Sequence, residues 1–271
     1  MAMSVQNNVS AMNAYRNLTN TQGNISSSLE KLSSGFRINR AADDAAGLAI
    51  SEGLRSQIGG LNVAVRNAQD GISVVQTAEG ALNETHSILQ RMRDLSVQAA
   101  NTGGLSATAK DNIKAEMDEL ALALTDISKQ TKFNGTELLD GSYEGTFQVG
   151  ANVGETIEVT IDQDVSATGL SVNALDVTTD AEGAITAIDT AIDAVSKLRS
   201  DLGAKQNRLD HTINNLQVSV ENLTASESRI RDTDMANEMV SYTSSNILQQ
   251  AGTAMLAQAN QMPQSILSLL G

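Results

Sequence analysis

The chain has 271 residues, a formal net charge of −14 and a sequence pI near 4.5. Such an acidic surface repels nucleic-acid phosphates and anionic lipid head groups, so neither a nucleic acid nor a membrane is an expected partner. The chain contains no cysteine, which excludes disulfides, thiolate catalysis and cysteine-ligated metal sites.

The first element is predicted to be a helix with a narrow apolar stripe. Leu18, Ile25 and Leu32 recur every seven residues, a spacing typical of helices that pack along their length. The residues around them are rich in Asn, Ser and Thr, and an isolated helix of this kind is marginal in water. The N-terminal residues have neither the basic nor the apolar region of a cleavable signal peptide, and no apolar run is long enough to span a bilayer. On these facts alone the protein is expected to be cytoplasmic, or to be exported by a route that needs no cleavable signal peptide.

A long second helix is predicted from about Asp44 to about Ala100, roughly 85 Å at 1.5 Å per residue. Asp43 and Asp44 favour its start, and the Asn-Thr-Gly-Gly run at 101–104 favours its end. Its apolar residues recur in a heptad pattern. The predicted seam contains Leu54, Ile58, Leu61, Val65, Ile72 and Val75. Further along, polar residues fill the second seam position, so the apolar face is expected to drift towards Leu95.

The middle of the chain is predicted to hold a third helix and a β-hairpin. The helix is expected to start near Ser106 or Thr108, and an Asn-Gly turn follows it at Asn134. Residues 156–161 alternate polar and β-branched side chains, which indicates a strand, and a run around Phe147 supplies its partner. This segment is too short to be an enzymatic domain.

The chain then returns through a second long heptad helix. Thr179 and Glu182 fit a capping box at its start. Its predicted seam contains Leu202, Leu209, Leu216 and Leu223. A chain that leaves along one helix and returns along another makes the two helices antiparallel. With helices predicted over most of the chain, the predicted fold is mainly α. It is a long antiparallel helical bundle or coiled coil with a short β-hairpin insertion, and the C-terminal segment is helical as well.

Little in the sequence points to chemistry. His86 and His211 are the only histidines, lie far apart, and are expected on helix surfaces rather than at a metal site. There is no His-Glu-x-x-His motif and no nucleophile paired with a base. No catalytic residue, metal or cofactor is predicted, and an enzyme is the least favoured class.

Several motifs at both ends resemble those of bacterial flagellins. Residues 29–50 read LEKLSSGFRINRAADDAAGLAI, residues 66–73 read RNAQDGIS, and residues 130–135 read QTKFNG. Near the other end, residues 202–209 read LGAKQNRL, residues 228–236 read SRIRDTDMA, and residues 249–261 read QQAGTAMLAQANQ. The resemblance covers roughly residues 1–140 and 180–271.

This resemblance implies a structural subunit that self-assembles into the bacterial flagellar filament for motility. Residues 1–39 and 234–271 would form a terminal coiled-coil domain in the filament core. The implied core seam is Leu18, Ile25, Leu32, Met239, Ile247 and Ala254. Residues 40–140 and 180–233 would form a helical-bundle shell domain, with residues 141–179 as its short β insertion. The two heptad seams named above would be the shell seam.

The resemblance also implies partners outside the polymer. The subunit would be exported unfolded by the flagellar type III apparatus and held before export by a chaperone on its C-terminal segment. Outside the cell it would meet the filament cap and the hook-junction proteins.

One segment resembles the part of flagellin recognised by the host receptor Toll-like receptor 5. The matching residues are Gln90, Arg91, Leu95, Gln98 and Glu116. Arg91 and Leu95 lie four residues apart and are expected to share a helix face. The alternative is that these residues serve filament packing and that the receptor exploits a surface the polymer needs.

Two other functions are weighed against a filament subunit. A hook–filament junction protein would share the terminal helices but diverge in the motifs quoted. A soluble binding module or secreted effector would stay monomeric, so sedimentation of repolymerised protein separates these classes.

Overall fold

The computed structural model describes residues 7–101 and 103–270, with side chains up to residue 261. Its elements, in chain order, are α1 (Val9–Ser34), α2 (Ala45–Ala99), α3 (Ala107–Gln130), β1 (Lys132–Phe133), β2 (Thr136–Glu137), β3 (Tyr143–Gln148), β4 (Thr156–Ile161), α4 (Ala181–Arg231) and α5 (Met235–Leu270). This confirms the predicted mainly α fold with a short β-hairpin insertion. The predicted lack of a signal peptide concerns in part residues 1–6, which lie outside the described residues. Within the described part, no helix is both long and apolar enough to cross a bilayer.

Side-chain caps explain where three of the helices begin. The amide of Gly47 donates to Asp44 Oδ1 (2.9 Å) at the start of α2, and the amide of Ala109 donates to Ser106 Oγ (3.2 Å) at the start of α3. The capping box predicted at Thr179 is wrong by one residue. The amide of Gly183 donates to Asp180 Oδ1 (2.8 Å), which makes Asp180 the cap of α4.

Thr179 instead belongs to the loop before α4, where its hydroxyl bonds to Asp176. Its Oγ1 donates to Asp176 Oδ2 (3.0 Å), in a loop where Thr178 Oγ1 also donates to the Asp176 carboxylate (2.6 Å). These bonds hold the pKa of Asp176 below its ordinary value of 3.8, with the Thr178 hydroxyl the largest cause.

The structure divides into two compact units, of which the first is made from the two ends of the chain. It comprises residues 1–56 and 222–271. Its main feature is an antiparallel pairing of α1 with α5. Asn8 Nδ2 donates to the carbonyl of Ala259 (2.7 Å), and Gln22 meets Gln249 further along. As the residue number rises in α1, that of its partner in α5 falls.

The second unit, residues 57–221, contains the main core. Here α2 and α4 run antiparallel, since Arg93 Nε contacts Asp189 Oδ1 (2.6 Å) and Arg199 Nη2 contacts Glu79 Oε1 (3.4 Å). The core between the helices is closely packed. Its largest fully buried side chains include Leu82, Leu89, Met92, Leu124, Ile188 and Leu202.

The buried seam of α2 keeps a heptad spacing along its length, and the residues towards which the apolar face was expected to drift, Leu89, Met92 and Leu95, are buried as well. From Ala64 onward its main buried positions alternate steps of three and four residues, which is the coiled-coil spacing, and Val74 and Leu95 are buried beside them. The main positions are Ala64, Ala68, Gly71, Val75, Ala78, Leu82, Thr85, Leu89, Met92, Ser96 and Ala99. The prediction missed the second row because it consists largely of small residues. Ile58, Val65 and Ile72, predicted for that row, are half-buried beside it.

The other residues of the predicted shell seam differ in burial. Val75, Leu202, Leu209 and Leu216 are buried. Leu54, Leu61 and Leu223 are half-buried.

Two hairpins follow α3. The Asn-Gly turn joins β1 to β2, and both of its residues have the positive φ that this turn requires: 51° at Asn134 and 84° at Gly135. Strands β3 and β4 pair antiparallel, with Phe147 opposite Ile157. On β4 the side chains of Ile157, Val159 and Ile161 are buried while those of the alternate residues face outward, as the sequence pattern predicted.

The β3–β4 hairpin is fixed to both long helices of its unit. Asn67 Nδ2 on α2 donates to the carbonyl of Gln148 (3.0 Å), and Lys205 Nζ on α4 donates to Thr160 Oγ1 (2.7 Å). Gly71 leaves room for the Phe147 ring, because a Cβ there would lie 3.3 Å from Phe147 Cγ. Both strands are therefore held against the helices.

Candidate functional site

The terminal helix pair buries very little apolar surface. Ile25, Ile38 and Ala259 are the only apolar side chains of this unit that are buried among the described residues. The second unit buries a continuous cluster of more than thirty residues. Since burial of apolar surface is the main favourable term in folding, the pair has little to offset the entropy of ordering two long helices.

The contact face of this pair is more polar than the predicted core seam. On α1, Ile25 is buried and Leu18 and Leu32 are half-buried between the helices. On α5, the inward positions alternate steps of three and four residues. They are Glu238, Tyr242, Ser245, Gln249, Gly252, Leu256 and Ala259.

Met239, Ile247 and Ala254 are exposed rather than between α1 and α5. The sequence interpretation chose them because they are the apolar residues near heptad spacing. In the structure, the more polar register faces α1, and the apolar register faces away.

The outward surfaces of α1 and α5 form an apolar surface, which we call the terminal apolar surface. Of the sixteen large apolar side chains that are exposed in the described part of the chain, four lie on α1 and six on α5. They are Val9, Met12, Tyr15, Leu29, Met235, Met239, Val240, Ile247, Leu248 and Met255. Exposed apolar surface concentrated in one region marks an interaction site rather than the scatter of an ordinary surface.

The segments that follow α1 and α4 are bound to each other in a short antiparallel contact, the linker joint (residues 35–37 and 231–233). The amide of Arg37 donates to the carbonyl of Arg231 (2.7 Å), and the amide of Thr233 donates to the carbonyl of Gly35 (2.9 Å). Gly35 itself ends α1 in the left-handed conformation, with φ of 77°. Backbone bonds therefore tie the two linkers directly.

Arg231 strengthens the linker joint through its side chain, which is only 12% exposed. Its guanidinium carbon lies 4.7 Å from the centre of the Phe36 ring, within range of a cation–π interaction. Its Nη1 also donates to Glu52 Oε1 on α2 (2.8 Å). One side chain thus connects the first linker, the end of α4 and the start of α2. The sequence analysis quoted Phe36 and Arg231 within motifs but gave neither a role.

Replacing Arg231 by Ala is expected to weaken the linker joint by about 1–3 kcal/mol, because the cation–π contact and the bond to Glu52 are lost together. Amide hydrogen exchange at Arg37 and Thr233 should then accelerate by about fivefold or more. The matched control is Arg229→Ala, since Arg229 is exposed and donates to Ser226 Oγ (3.0 Å), three residues before it on the same helix. Equal acceleration in both variants would show that Arg231 has no special role.

Asp43 and Asp44, two acidic residues just before α2, both accept hydrogen bonds from backbone amides. The amides of Asn39 and Arg40 both donate to Asp43 Oδ2 (3.0 and 2.9 Å), and Asp44 caps α2. The Arg40 and Asn39 amides lower the pKa of Asp43 below its ordinary 3.8. These carboxylates stabilise the turn before α2, as the helix-start interpretation expected.

The segment that resembles a receptor epitope forms part of the α2–α3 surface. Gln90, Arg91, Gln98 and Glu116 are exposed. Arg91 donates to Glu116 Oε1 from Nε (2.9 Å) and from Nη2 (2.6 Å), so these two predicted residues are in contact. Leu95 is not on this surface, because its side chain is only 2% exposed.

Arg91 and Leu95 were expected to share one helix face, but Arg91 is exposed and Leu95 is buried. Four residues advance a helix about 40° beyond a full turn, which is enough to carry a side chain from an edge into the core. The long Arg91 side chain stays at the edge.

No group suited to metal binding appears among the described residues, where no three His, Cys, Asp or Glu side chains cluster. His86 Nε2 instead lies 2.9 Å from Gln90 Nε2 on the same helix, and His211 is exposed.

Family comparisons match both ends of the chain. Residues 5–144 match the family described as bacterial flagellin N-terminal helical region, and residues 185–270 match the bacterial flagellin C-terminal helical region.

Full-length relatives give the same result. The chain is 50% identical to a flagellin of Bacillus subtilis and 53% identical to a flagellin of Halalkalibacterium halodurans. It is 48% identical to flagellin FlaB2 of Treponema pallidum. In all three cases the match covers 99% of this chain and 100% of the relative.

Solved structures show a related fold. The crystal structure of Bacillus cereus flagellin matches with a TM-score of 0.50 and 33% identity, covering 56% of this chain and 88% of that one. A putative flagellar hook-associated protein from Vibrio parahaemolyticus matches with a TM-score of 0.61 over 70% of this chain and 100% of that one. At 14% identity the second match shows the fold alone.

Proposed function

This chain belongs to the bacterial flagellin family, and we propose that its terminal apolar surface joins neighbouring copies in the flagellar filament. As a flagellin, it is a structural subunit of a homopolymer outside the cell. Flagellins are structural proteins rather than enzymes.

The contrast between burial and exposure in the terminal helix pair carries this proposal. Among the described side chains, Ile25 and Ala259 are the two buried apolar residues of these helices, which are 26 and 36 residues long, while ten large apolar side chains of the same pair are exposed. Anything that binds only the folded form stabilises it, and a neighbouring copy can do so by covering that surface. The terminal helices then gain from assembly the burial that they lack alone.

The proposed domains of the subunit correspond to the two ends and the middle of the chain. Residues 1–39 and 234–271 form the filament core, residues 40–140 and 180–233 form the shell, and residues 141–179 are the insertion of the shell. In support, the structure groups the two ends of the chain in one compact unit and the middle in another. The boundaries of these units along the sequence fall after residue 56 and before residue 222, rather than at residues 39 and 234.

Export is proposed to follow the route of the family, as an unfolded chain through the flagellar type III apparatus. The small buried core of the terminal helix pair supports this, since little free energy opposes its unfolding. An export chaperone on the C-terminal segment would cover the outward face of α5. The filament cap and the hook-junction proteins would be the partners at the two ends of the polymer.

The assembly surface is tested by Ile247→Asp. Ile247 is 61% exposed, so the charge costs little in the free subunit. At a subunit contact the same charge would have to be buried, and the critical concentration for polymerisation should rise by about a hundredfold or more. Ile247→Val, which keeps the position apolar, should polymerise as the unaltered chain does. Unchanged polymerisation of Ile247→Asp in a seeded sedimentation assay would exclude this face from the contact.

Recognition by Toll-like receptor 5 is proposed for the free subunit, through Gln90, Arg91, Gln98 and Glu116. Support comes from their common exposure and from the Arg91–Glu116 contact, which joins the two helices of the surface. Leu95 lies on the buried face of α2 and would act indirectly, by packing in the core beneath this surface. We expect free subunits to activate the receptor and intact filaments not to.

Arg91→Ala should reduce receptor activation by about tenfold or more, because an interfacial Arg often contributes 1–2 kcal/mol or more to binding. Arg66→Ala, at another exposed Arg of α2, is the matched control. Reporter-cell activation by monomeric protein measures both variants. Undiminished activation by Arg91→Ala would refute the proposed contact.

A further inference from the structure

The methionines whose side chains the structure describes are sharply divided by exposure. Within the described side chains of the terminal unit, Met12, Met235, Met239 and Met255 are 62%, 48%, 50% and 65% exposed. Met92 and Met117, in the second unit, are 0% and 2% exposed. We call the first four the exposed methionine set. Sulfur atoms that an oxidant can reach are therefore concentrated on the terminal apolar surface, while those in the main core are shielded.

We propose that the exposed methionine set is an oxidation site at which peroxide blocks assembly of the free subunit without unfolding it. The inference rests on the proposed function, because it requires these side chains to be covered in the polymer. It adds a modification chemistry and a form of regulation to that surface.

The reaction needs only hydrogen peroxide as its second reactant. The thioether sulfur attacks one peroxide oxygen, a sulfur–oxygen bond forms and the oxygen–oxygen bond breaks. The products are methionine sulfoxide and, after proton transfer, one water molecule. Sulfur is oxidised by two electrons and the peroxide is reduced by two, so no further electron donor or acceptor takes part.

Oxidation changes the subunit contact more than the free chain. A sulfoxide is polar, and on an exposed side chain it remains solvated at little cost. Met12 lies in a groove with Tyr15 and Leu256, and Met239 lies in another with Val240 and Ile247. A copy that covers these apolar grooves would have to bury the sulfoxide oxygen without a matched donor, which opposes assembly.

The test starts from the full chain, dissociated by heat and treated with hydrogen peroxide, which is then removed. Peptide mass spectrometry should find sulfoxide at the exposed methionine set before Met92 and Met117 react. Helix content by circular dichroism should be unchanged. In a seeded sedimentation assay the critical concentration should rise by at least about tenfold, equivalent to about 1.4 kcal/mol per subunit.

A variant with Leu at all four positions separates this set from the other methionines. Leu is apolar, close in volume and cannot form a sulfoxide, so this variant should polymerise equally well before and after peroxide. The matched control, Met92→Leu with Met117→Leu, should remain sensitive. If the fourfold variant loses assembly on oxidation as the unaltered chain does, the blocking sites lie elsewhere and the proposal is overturned.

A further measurement requires no variant. Peroxide added to intact filaments should oxidise the exposed methionine set at least about tenfold more slowly than in free subunits, because covered sulfur is protected. Equal rates in both forms would overturn the proposal. Failure of the untreated chain to polymerise would instead contradict the proposed function, and polymerisation of fully oxidised chains at the normal concentration would contradict only the oxidation site.

Discussion

A chain that lacks residues 240–271 is expected to form no filaments, even when seeded at concentrations far above those at which the full chain polymerises. The deletion removes nearly all of α5, the partner helix of α1, together with Val240, Ile247, Leu248 and Met255 of the terminal apolar surface. The second unit keeps its own core, in which Leu82, Leu89 and Leu202 are almost fully buried, so it should remain folded. Sedimentation measures polymer, and circular dichroism with thermal unfolding measures the remaining fold.

A companion variant lacks residues 1–33 and so removes nearly all of α1, the other partner. Because α1 and α5 cover each other's inward faces, either deletion leaves one helix unsupported, and both should abolish polymerisation. A truncated chain that still forms ordinary filaments would refute the role assigned to the ends. A truncated chain that loses the thermal transition of the second unit would show instead that the ends are needed for folding.

Replacing Leu82 by Ala should give the largest loss of stability expected from one substitution. Leu82 is 0% exposed and lies in the α2 seam within the main core. Leu→Ala at such a site costs about 2–5 kcal/mol through lost transfer free energy and a residual cavity. For a unit of this size the thermal midpoint should fall by about 5 °C or more.

The matched control is Leu122→Ala on α3. Leu122 is 60% exposed, so its truncation should change the free energy of unfolding by less than about 0.5 kcal/mol. Thermal unfolding of the monomer measures both variants. Equal midpoints in the two variants would mean that the α2 seam is not the core that the structure shows.

Element types and boundaries followed well from sequence because local physics determines them. Residues 44 and 106 carry side chains that cap helices, and the Asn-Gly pair at 134 needs the positive φ that both residues adopt. Alternating burial on β4 likewise follows from the two-residue period of a strand. These features depend on neighbours in sequence and are therefore readable from it.

The contact faces of the helices were harder to predict, because a seam depends on shape as well as hydrophobicity. Ala64, Gly71 and Ala78 form one row of the α2 seam, and small residues give little apolar signal even where they permit close packing. A search for Ala, Gly and Thr at seven-residue spacing would have found this row.

On α5 the apolar residues chosen for the core seam indicated the wrong face of the helix. Met239 and Ile247, which were predicted for the core seam, are exposed and face away from α1. On the proposed function they serve contacts with other copies, which a single chain's pattern does not separate from its own core. The linker joint depends on Phe36 and Arg231, which are nearly two hundred residues apart. No local pattern brings such a pair together.

The most direct test of the account is whether the ends of the chain order through assembly. Full-length protein is dissociated by heat, cooled and seeded with filament fragments, and hydrogen exchange of α1 and α5 is measured before and after sedimentation. We predict that the protein repolymerises into filaments visible by electron microscopy and that exchange in both helices slows on assembly. The claim would be contradicted by a monomer that does not assemble when seeded and whose α1 and α5 amides are already fully protected from exchange.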